Sequence, residues 1–266
     1  NAHKGDAKAV KAMTDYNPKA GEPVTLAPLV RRVLAPNPSP MTYRGTNTYL
    51  VGQGRVAVID PGPVDEAHLD AILGAIGQST VSHIIVTHSH IDHSPLARSL
   101  ANMVDAPVVA FGDSYAGQSE TMQKRAQGGL VGGGEGVDHA FNPDITVATG
   151  DYIDGDDWQL EVIHTPGHMG NHIALGLGDS IFTGDLVMGW ASSLVSPPDG
   201  NLDQFLRSCA ILRQRMPRIL FPGHGAPIED PVARIDWLIN HRNSRTDEIL
   251  GLLDDGPKTA SELAEM

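Results

Sequence analysis

Hydrophobic residues in the first half of the chain predict strands and helices in turn. Apolar runs at 48–51 and 55–60 flank the turn sequence Gly-Gln-Gly and predict a β-hairpin. Helical spacing follows at 65–76. A β-rich run at 83–87 then leads through a short polar loop to a helix with Ser94 as its N-cap. This region therefore predicts a strand, a loop and a helix in direct succession.

The second half repeats this mixture after a glycine-rich segment. Residues 127–137 contain six glycines, which predicts a mobile loop near the middle of the chain. The two β-rich halves on either side of it favour a layered α/β sandwich over a regular alternation of strand and helix. The remaining predicted strands are 108–111, 158–163, 172–177, 180–183 and 218–221, and the remaining predicted helices are 203–215, 230–253 and one that begins at 259–265.

Length, charge and cysteine content limit the classes of protein that fit. The 266 residues suit one large α/β domain with a small C-terminal appendage. A formal net charge of −13 disfavours nucleic acid as a partner, and the single cysteine, Cys209, excludes a cysteine metal cluster within the chain. Neither a membrane-spanning run nor an N-terminal secretory signal is recognisable, so the sequence predicts a cytoplasmic protein with no membrane partner.

Histidine and aspartate residues follow four of the predicted strands at their C-terminal ends. The four segments read IIVTHSHIDH, LEVIHTPGH, SIFTGD and RILFPGH. Open α/β sheets bind ligands at such ends, because rigid strands there direct side chains from several loops into one crevice. Four such segments together predict a shared site. Its candidate residues are His88, His90, Asp92, His93, His168, Asp185 and His224.

The types of residue in this set favour a site for two metal ions. Imidazole and carboxylate groups are the ligands expected for zinc, and iron or manganese also accept them. Five histidines and two aspartates are too many for one tetrahedral ion, but they suit two ions that share a bridging ligand. Glycine precedes the three later ligands, at Gly167, Gly184 and Gly223. We expect it to permit tight turns that carry the next side chain into a crowded centre.

The run His88-Ser89-His90-Ile91-Asp92-His93 resembles the H-x-H-x-D-H motif of the metallo-β-lactamase fold superfamily. The segments TPGH, TGD and PGHG match the later ligand positions of that superfamily, so the resemblance covers roughly residues 45–228. It implies an α/β fold, a four-layer αββα sandwich with a helical C-terminal extension. The implied organisation is an N-terminal polar segment at 1–22, a catalytic domain at 23–229 and a C-terminal region at 230–266.

The resemblance also implies how the ligands are shared between the metals. One metal is expected on His88, His90 and His168, and the other on Asp92, His93 and His224, with Asp185 bridging them. The expected ions are two Zn²⁺, with iron or manganese as alternatives. They would activate a bridging hydroxide as the nucleophile and polarise the substrate oxygen. Asp92, or a metal-bound water, would pass a proton to the leaving group.

A closer resemblance, to the lactamase-beta-two-like subgroup related to glyoxalase II, rests on GTNTYLVG, FPGHGAPI and the helix that contains His241-Arg242-Asn243. Members of that subgroup carry a small winged-helix domain, and residues 259–266 resemble its first helix. Asn47 is then expected to face the substrate, with a turn residue as the alternative. Residues 190–201, which begin with Trp190, are expected to form the substrate pocket with Tyr43, Arg44 and the glycine-rich segment, or to serve as a connector.

The remaining histidines are expected to have structural or surface positions. His172 follows His168 by four residues and is expected to orient a ligand or to pack structurally. His83 and His164 lie within predicted strands and are interpreted as structural. The others, predicted to lie at the surface, are His3, His68, His139 and His241.

The leading functional prediction is hydrolysis of a small acyl substrate such as a thioester, lactone or amide. An acidic surface is compatible with neutral or coenzyme-bound small molecules. Three alternatives stay open. The chain could be a phosphodiesterase or endoribonuclease on single-stranded RNA, because the resembled subgroup includes ribonucleases, or it could be a β-lactam hydrolase. It could also be a noncatalytic binding protein that keeps its metals for stability.

Overall fold

Two β-sheets form the centre of the fold. The computed structural model describes residues 16–130, 132–133, 136–254 and 256–265, so most of the expected N-terminal segment, and His3, lie outside the described residues. The strands are β1 (Val24–Ala27), β2 (Val30–Leu34), β3 (Asn47–Val51), β4 (Arg55–Ile59), β5 (Thr80–Ile85), β6 (Val108–Ala110), β7 (Ile145–Thr146), β8 (Tyr152–Asp154), β9 (Gln159–His164), β10 (Ile173–Leu177), β11 (Ser180–Gly184) and β12 (Ile219–Pro222). The first sheet has the order β1 to β7, and the second has the order β12-β11-β10-β9-β8.

Both sheets mix antiparallel and parallel pairs. Strands β1 to β4 form an antiparallel meander, and β4 to β7 continue the sheet in parallel. In the second sheet β8 to β11 are antiparallel, whereas β12 joins β11 in parallel. Parallel neighbours need crossover connections, and helices supply them. The helices are α1 (Glu66–Ile76), α2 (Leu96–Val104), α3 (Glu120–Gln127), α4 (Leu202–Gln214), α5 (Pro231–Leu252) and α6 (Ala260–Ala264).

Three hydrophobic clusters show that the layers lie in the order helix, sheet, sheet, helix. The central cluster joins inward residues of the two sheets, such as Tyr49 and Phe182, whose rings meet edge-on with centroids 5.1 Å apart. The outer face of the first sheet packs on α1 and α2 through residues such as Ile72 and Leu100. The outer face of the second sheet packs on α4 and α5. The predicted four-layer αββα sandwich is therefore confirmed.

The structure also corrects some local predictions. The hairpin β1–β2 has no counterpart in the predicted elements, and neither has α3. Ser94 does not cap α2; the N-cap is Pro95, while the Ser94 hydroxyl donates to the His90 carbonyl oxygen at 3.2 Å and contacts Asp138. The predicted start of a last helix is confirmed as α6, which has a capping box between Thr259 and Glu262. In the part of the chain that the structure describes, no helix is long and apolar enough to cross a bilayer.

Candidate metal centre

The first four candidate ligands lie on the loop between β5 and α2, and Asp60 holds that loop. Asp60 follows β4 and is buried. Its carboxylate accepts hydrogen bonds at 2.7 Å from both the backbone N–H and the hydroxyl of Thr87, and its Oδ2 lies 3.0 Å from Nδ1 of His93. Asp60 is not among the residues predicted from the sequence. The available signal was an aspartate at the end of a strand that neighbours the ligand-bearing strand.

The three later ligands come from loops of the second sheet. His168 lies between β9 and β10, Asp185 follows β11, and His224 follows β12. Because β11 and β12 are parallel neighbours, Asp185 and His224 leave the same edge of the sheet, and His224 Nε2 lies 3.2 Å from Asp185 Oδ2. All seven predicted ligands are buried and meet at one place. The structure therefore brings together every residue of the predicted set.

The seven side chains form two groups, each compact enough for one ion. The first group is His88, His90 and His168; the second is Asp92, His93, Asp185 and His224. Within each group the candidate ligand atoms lie within 4.8 Å of one another. Asp185 reaches both groups, because its Oδ2 is 3.6 Å from His168 Nε2 and 3.2 Å from His224 Nε2.

Hydrogen bonds at the far side of three imidazoles fix which nitrogen faces the centre. His168 Nδ1 donates to the Leu194 carbonyl oxygen at 2.6 Å, and His224 Nδ1 donates to the Gly45 carbonyl oxygen at 3.2 Å. His93 Nδ1 faces Asp60 in the same way. A neutral imidazole that donates through Nδ1 presents its Nε2 lone pair to the other side, as a metal ligand must.

His172 supports Asp185 rather than joining either group. It is fully buried, and its Nδ1 lies 2.8 Å from the Thr165 hydroxyl. Its Nε2 accepts the backbone N–H of Asp185 at 3.1 Å. The contact fixes the backbone from which Asp185, the bridging candidate, projects, and the orienting role of His172 stays a prediction.

The electrostatics of the two groups differ. Burial and the neighbouring His168 ring lower the pKa of His90 to about 3, so this imidazole is neutral near pH 7. In the other group, burial alone would lower the pKa of His224, but the Asp185 carboxylate raises it to about 10. Burial opposes ionisation of Asp92, yet the charges of His93 and His224 bring its pKa well below the usual range. Two ionised carboxylates thus attract positive charge to the second group.

The donor set fits divalent metal ions. Asp185 Oδ1 is buried and makes no hydrogen bond among the described residues; His93 Nε2 faces it at 3.5 Å. Nitrogen atoms of His90 and His168 face each other at 2.9 Å, and those of His93 and His224 at 3.3 Å. Convergent imidazole nitrogens and a buried carboxylate oxygen without a hydrogen bond are what a divalent cation would satisfy.

A cavity of about 230 Å³ opens onto both groups. His90, Asp92, His168, Asp185 and His224 lie at its inner end. Its other walls are mostly apolar, with Arg242 at one side. These wall residues are Pro40, Met41, Met188, Trp190, Ala191, Ser192, Ser193, Leu194 and Arg242.

The structure places the three residues expected to contact substrate in different positions. Trp190 is part of the cavity wall. Tyr43 is not part of that wall, but its ring stacks on the Trp190 ring with centroids 5.0 Å apart. Asn47 is fully buried, outside that wall, and its Nδ2 donates to the carbonyl oxygens of Pro222 and Gly225 at 2.9 Å each. The expectation that Asn47 faces the substrate is therefore corrected: it holds the loop that carries His224.

The other predicted pocket segments and histidines have mixed outcomes. Val137 of the glycine-rich segment pairs with His90 through an isolated β-bridge, but the described residues of that segment are absent from the cavity wall. His139 and His241 are exposed as predicted. His68 is wrong as a surface residue: it is fully buried on α1, with Nε2 2.9 Å from the Thr48 hydroxyl.

A buried two-part histidine and aspartate centre on a four-layer αββα sandwich defines a class of metal-dependent hydrolase. The sequence profile of the metallo-beta-lactamase superfamily matches residues 41–224, and the chain belongs to that superfamily. It is 32% identical over 230 residues, 83% of this chain and 72% of the relative, to the beta-lactamase-like protein 2 homolog of Drosophila melanogaster. The predicted subgroup is thereby confirmed. It is also 28% identical over 244 residues, 90% of this chain and 68% of the relative, to an atrochrysone carboxyl ACP thioesterase of Aspergillus terreus.

Solved structures support the same assignment. A metallo-beta-lactamase family protein from Thermus thermophilus superposes with a TM-score of 0.71 at 26% identity, over 90% of this chain and 87% of that protein. A second protein, crystallised in a di-iron-bound form, gives a TM-score of 0.55 at 25% identity, over 80% of this chain and 98% of that protein. The chain is thus a metallo-hydrolase by family, and the family does not by itself select zinc over iron.

Proposed function

We propose that this protein hydrolyses small acyl substrates of the thioester, lactone or amide classes, with two zinc ions. The observation that carries the proposal is the pair of buried ligand groups that open together into one small cavity. When bound, the two ions would supply a hydroxide from water near neutral pH and polarise the substrate carbonyl. The side chains around the ions would transfer the proton and hold the substrate.

Two carboxylates have distinct tasks in this proposal. Asp185 spans both ligand groups, and His172 fixes its backbone. Asp92 lines the cavity and its Oδ2 lies 3.1 Å from His224 Nε2. In this proposal the Asp92 carboxylate receives a proton from the attacking water and returns it to the leaving group. Met41, Met188 and Leu194 give the acyl chain an apolar wall that excludes water.

Size and charge favour an acyl substrate over RNA. The cavity is smaller than the roughly 300–1,000 Å³ typical of ligand pockets, and Arg242 is the one permanently charged cation among the described residues of its wall. RNA binding needs several cations along the backbone, whereas the whole chain has a net charge of −13. The thioesterase name of the Aspergillus relative points in the same direction.

The test compares hydrolysis of an acyl thioester with cleavage of a fluorescent single-stranded RNA in one low-salt buffer. We expect thioester turnover by the zinc-loaded protein, and a loss of about 100-fold or more in kcat/KM in His90→Ala, because a displaced ligand misplaces the nucleophile. The control His241→Ala removes an exposed histidine and should keep the activity.

Elemental analysis of the purified protein tests the metal. Zinc near two ions per chain supports the proposal, whereas activity that follows iron content contradicts the zinc assignment. RNA cleavage that is lost in His90→Ala, with the thioester untouched, would instead make the protein a nuclease.

A further inference from the structure

Arg242 is a half-buried guanidinium in the wall of the metal-site cavity, without a carboxylate partner. Among the described residues no ion pair includes Arg242. Other arginines at this helix, α5, do have carboxylate partners: Arg245 pairs with Glu248 within α5, and Arg213 of α4 pairs with Asp236 of α5. Burial lowers the pKa of Arg242. A half-buried guanidinium without a counter-ion loses part of its hydration, so its position needs an explanation.

The contacts of Arg242 satisfy only part of its donor capacity. Its Nη2 donates to the Ser193 carbonyl oxygen, and the guanidinium lies 5.7 Å from the centroid of the Phe205 ring. Its Nε is buried and has no acceptor within the described part of the chain. An arginine carries five N–H donors. Four of the five N–H groups therefore have no acceptor among the described residues.

Two neutral donors in the same wall also lack partners. The Ser192 hydroxyl and the Trp190 indole N–H are buried, and neither has a hydrogen-bond partner among the described residues. Both residues line the cavity together with Arg242. Buried polar groups are almost always hydrogen-bonded, and three exceptions around one cavity indicate an acceptor that binds there.

The anchor of Arg242 places this group close to the reacting centre. Arg242 binds the carbonyl oxygen of Ser193, and His168 Nδ1 binds that of the next residue, Leu194. Consecutive residues are about 3.8 Å apart, so the guanidinium lies within about 10 Å of the His168 ring. Because both residues line the cavity, an acceptor bound by Arg242 would be separated from the candidate ligand His168 by about the length of a short acyl chain.

We propose that Arg242, with Ser192 and Trp190, binds a carboxylate at the far end of the substrate acyl chain. The substrates would then be half-thioesters or half-amides of short dicarboxylic acids. This inference rests on the proposed function, whose acyl substrate it specifies. One guanidinium with two neutral donors matches a monoanion better than a phosphate, because a phosphate dianion would add charge to a chain of net charge −13.

The competing explanation for Arg242 is that it only fastens the loop at 188–194. Arg234 provides the comparison, because it is also on α5 and does hold this loop: its Nε donates to the Met188 carbonyl oxygen at 2.7 Å and its Nη2 to that of Ala191 at 2.6 Å. Arg234 is absent from the cavity wall. Loss of either arginine should loosen the loop, but only loss of Arg242 should change the preference for charge.

The experiment uses glutaryl and glutaramoyl thioesters of N-acetylcysteamine, which differ only by a carboxylate and a carboxamide. We expect the wild-type protein to favour the glutaryl compound by about 10-fold or more in kcat/KM. Arg242→Gln should lower kcat/KM for it by about 10- to 100-fold and remove the preference, because a hydrogen bond to a charged group is lost. Arg242→Lys should keep part of the preference for the glutaryl compound. Arg234→Gln should keep the wild-type ratio of kcat/KM between the two compounds.

Binding of unreactive thioether analogues of the two compounds, measured by calorimetry, separates this inference from the proposed function. A carboxylate preference that disappears in Arg242→Gln, without hydrolysis of either thioester, supports the carboxylate site and refutes the acyl hydrolase. Hydrolysis of both thioesters at equal rates overturns the carboxylate site and keeps the acyl hydrolase. Equal losses for both compounds in Arg242→Gln, or tighter binding of a phosphonate analogue, would also overturn it.

Discussion

The glycines that precede the ligands are needed for two different physical reasons. Gly167 and Gly184 have φ angles of +145° and +45°, which side chains rarely adopt. Gly223 does not lie in that region, but a Cβ there would be 2.4 Å from Asp185 Oδ1 and 2.8 Å from His93 Cε1. The sequence predicts tight turns at these positions. It does not reveal the crowding at Gly223, because Asp185 and His93 come from distant parts of the chain.

Gly223→Ala should disrupt the candidate metal centre although it replaces none of the candidate ligands. The new methyl group would displace Asp185 or His93, and a shift of about 1 Å at a catalytic group can cost about 100-fold in rate. We expect metal content below two ions per chain and a loss of that order in kcat. Elemental analysis and thioester kinetics measure both.

Gly54→Ala is the matched control for this change. Its Cβ would meet nothing within 4 Å, so metal content and rate should stay at the wild-type values. Full metal content and unchanged activity in Gly223→Ala would show that the centre is less crowded than the distances indicate.

Strand β3 joins the first sheet to the loop that carries His224. The Asn47 amide donates to Pro222 and Gly225, its backbone N–H donates to the Gly223 carbonyl oxygen at 2.7 Å, and the Tyr49 hydroxyl donates to Pro222. One short strand therefore fixes the end of β12 from the opposite sheet. The last ligand depends on this contact for its position.

Asn47→Ala should lower stability and metal affinity together. The Gly225 carbonyl oxygen would lose the Asn47 donor, while Pro222 keeps the Tyr49 hydroxyl, so we expect a loss of about 1–3 kcal/mol in the free energy of unfolding. Urea unfolding measures it. The exposed Asn243 on α5 offers a control, since Asn243→Ala should change this free energy by less than about 0.5 kcal/mol. If Asn47→Ala and Asn243→Ala unfolded at the same urea concentration, the Asn47 hydrogen bonds would not stabilise the fold as expected.

Elements with regular apolar patterns are predicted well, and elements that contain buried charge are not. The hairpin β3–β4 and helices α1, α4 and α5 have the predicted type, with ends shifted by a few residues at most. The β1–β2 hairpin was missed because Arg31 and Arg32 interrupt its apolar run. Arg32 is nevertheless buried, and it donates to the Tyr16 hydroxyl. Tyr16 is 16 residues away from Arg32. A local sequence pattern therefore does not indicate that a charged residue at this position can be buried.

At the scale of the whole molecule, the candidate metal centre lies where the two halves of the chain meet. Four ligands come from the loop after β5 and three from the second sheet, and each ligand group draws on both halves. The motif in the first half and the glycine-preceded residues in the second predict the full set. The cavity wall beyond Trp190 was harder to predict, because Arg242 reaches it from a helix that is distant in sequence.

Removal of the metals should therefore destabilise the entire fold. A ligand present at about 1,000 times its dissociation constant stabilises by about 4 kcal/mol. Since about 1 kcal/mol corresponds to about 2–4 °C at this chain length, a chelator should lower the melting temperature by about 10 °C and abolish hydrolysis. Differential scanning calorimetry measures the shift.

Restored metal provides the control for chelation. Adding zinc back should recover both the melting temperature and the hydrolysis of the thioester. A melting temperature that is unchanged after elemental analysis has shown complete metal loss would contradict a role of the ions in joining the halves.

The division of each ligand group between the two halves also sets the time at which a growing chain can acquire its metals. His88 and His90 emerge from the ribosome early, but their group waits for His168, and the second group waits for His224. Domains complete their folding as synthesis proceeds from the N-terminus, and a metal binds tightly only once its ligands are assembled. We therefore expect metal loading to be a late step that draws on the ions present where the chain finishes folding.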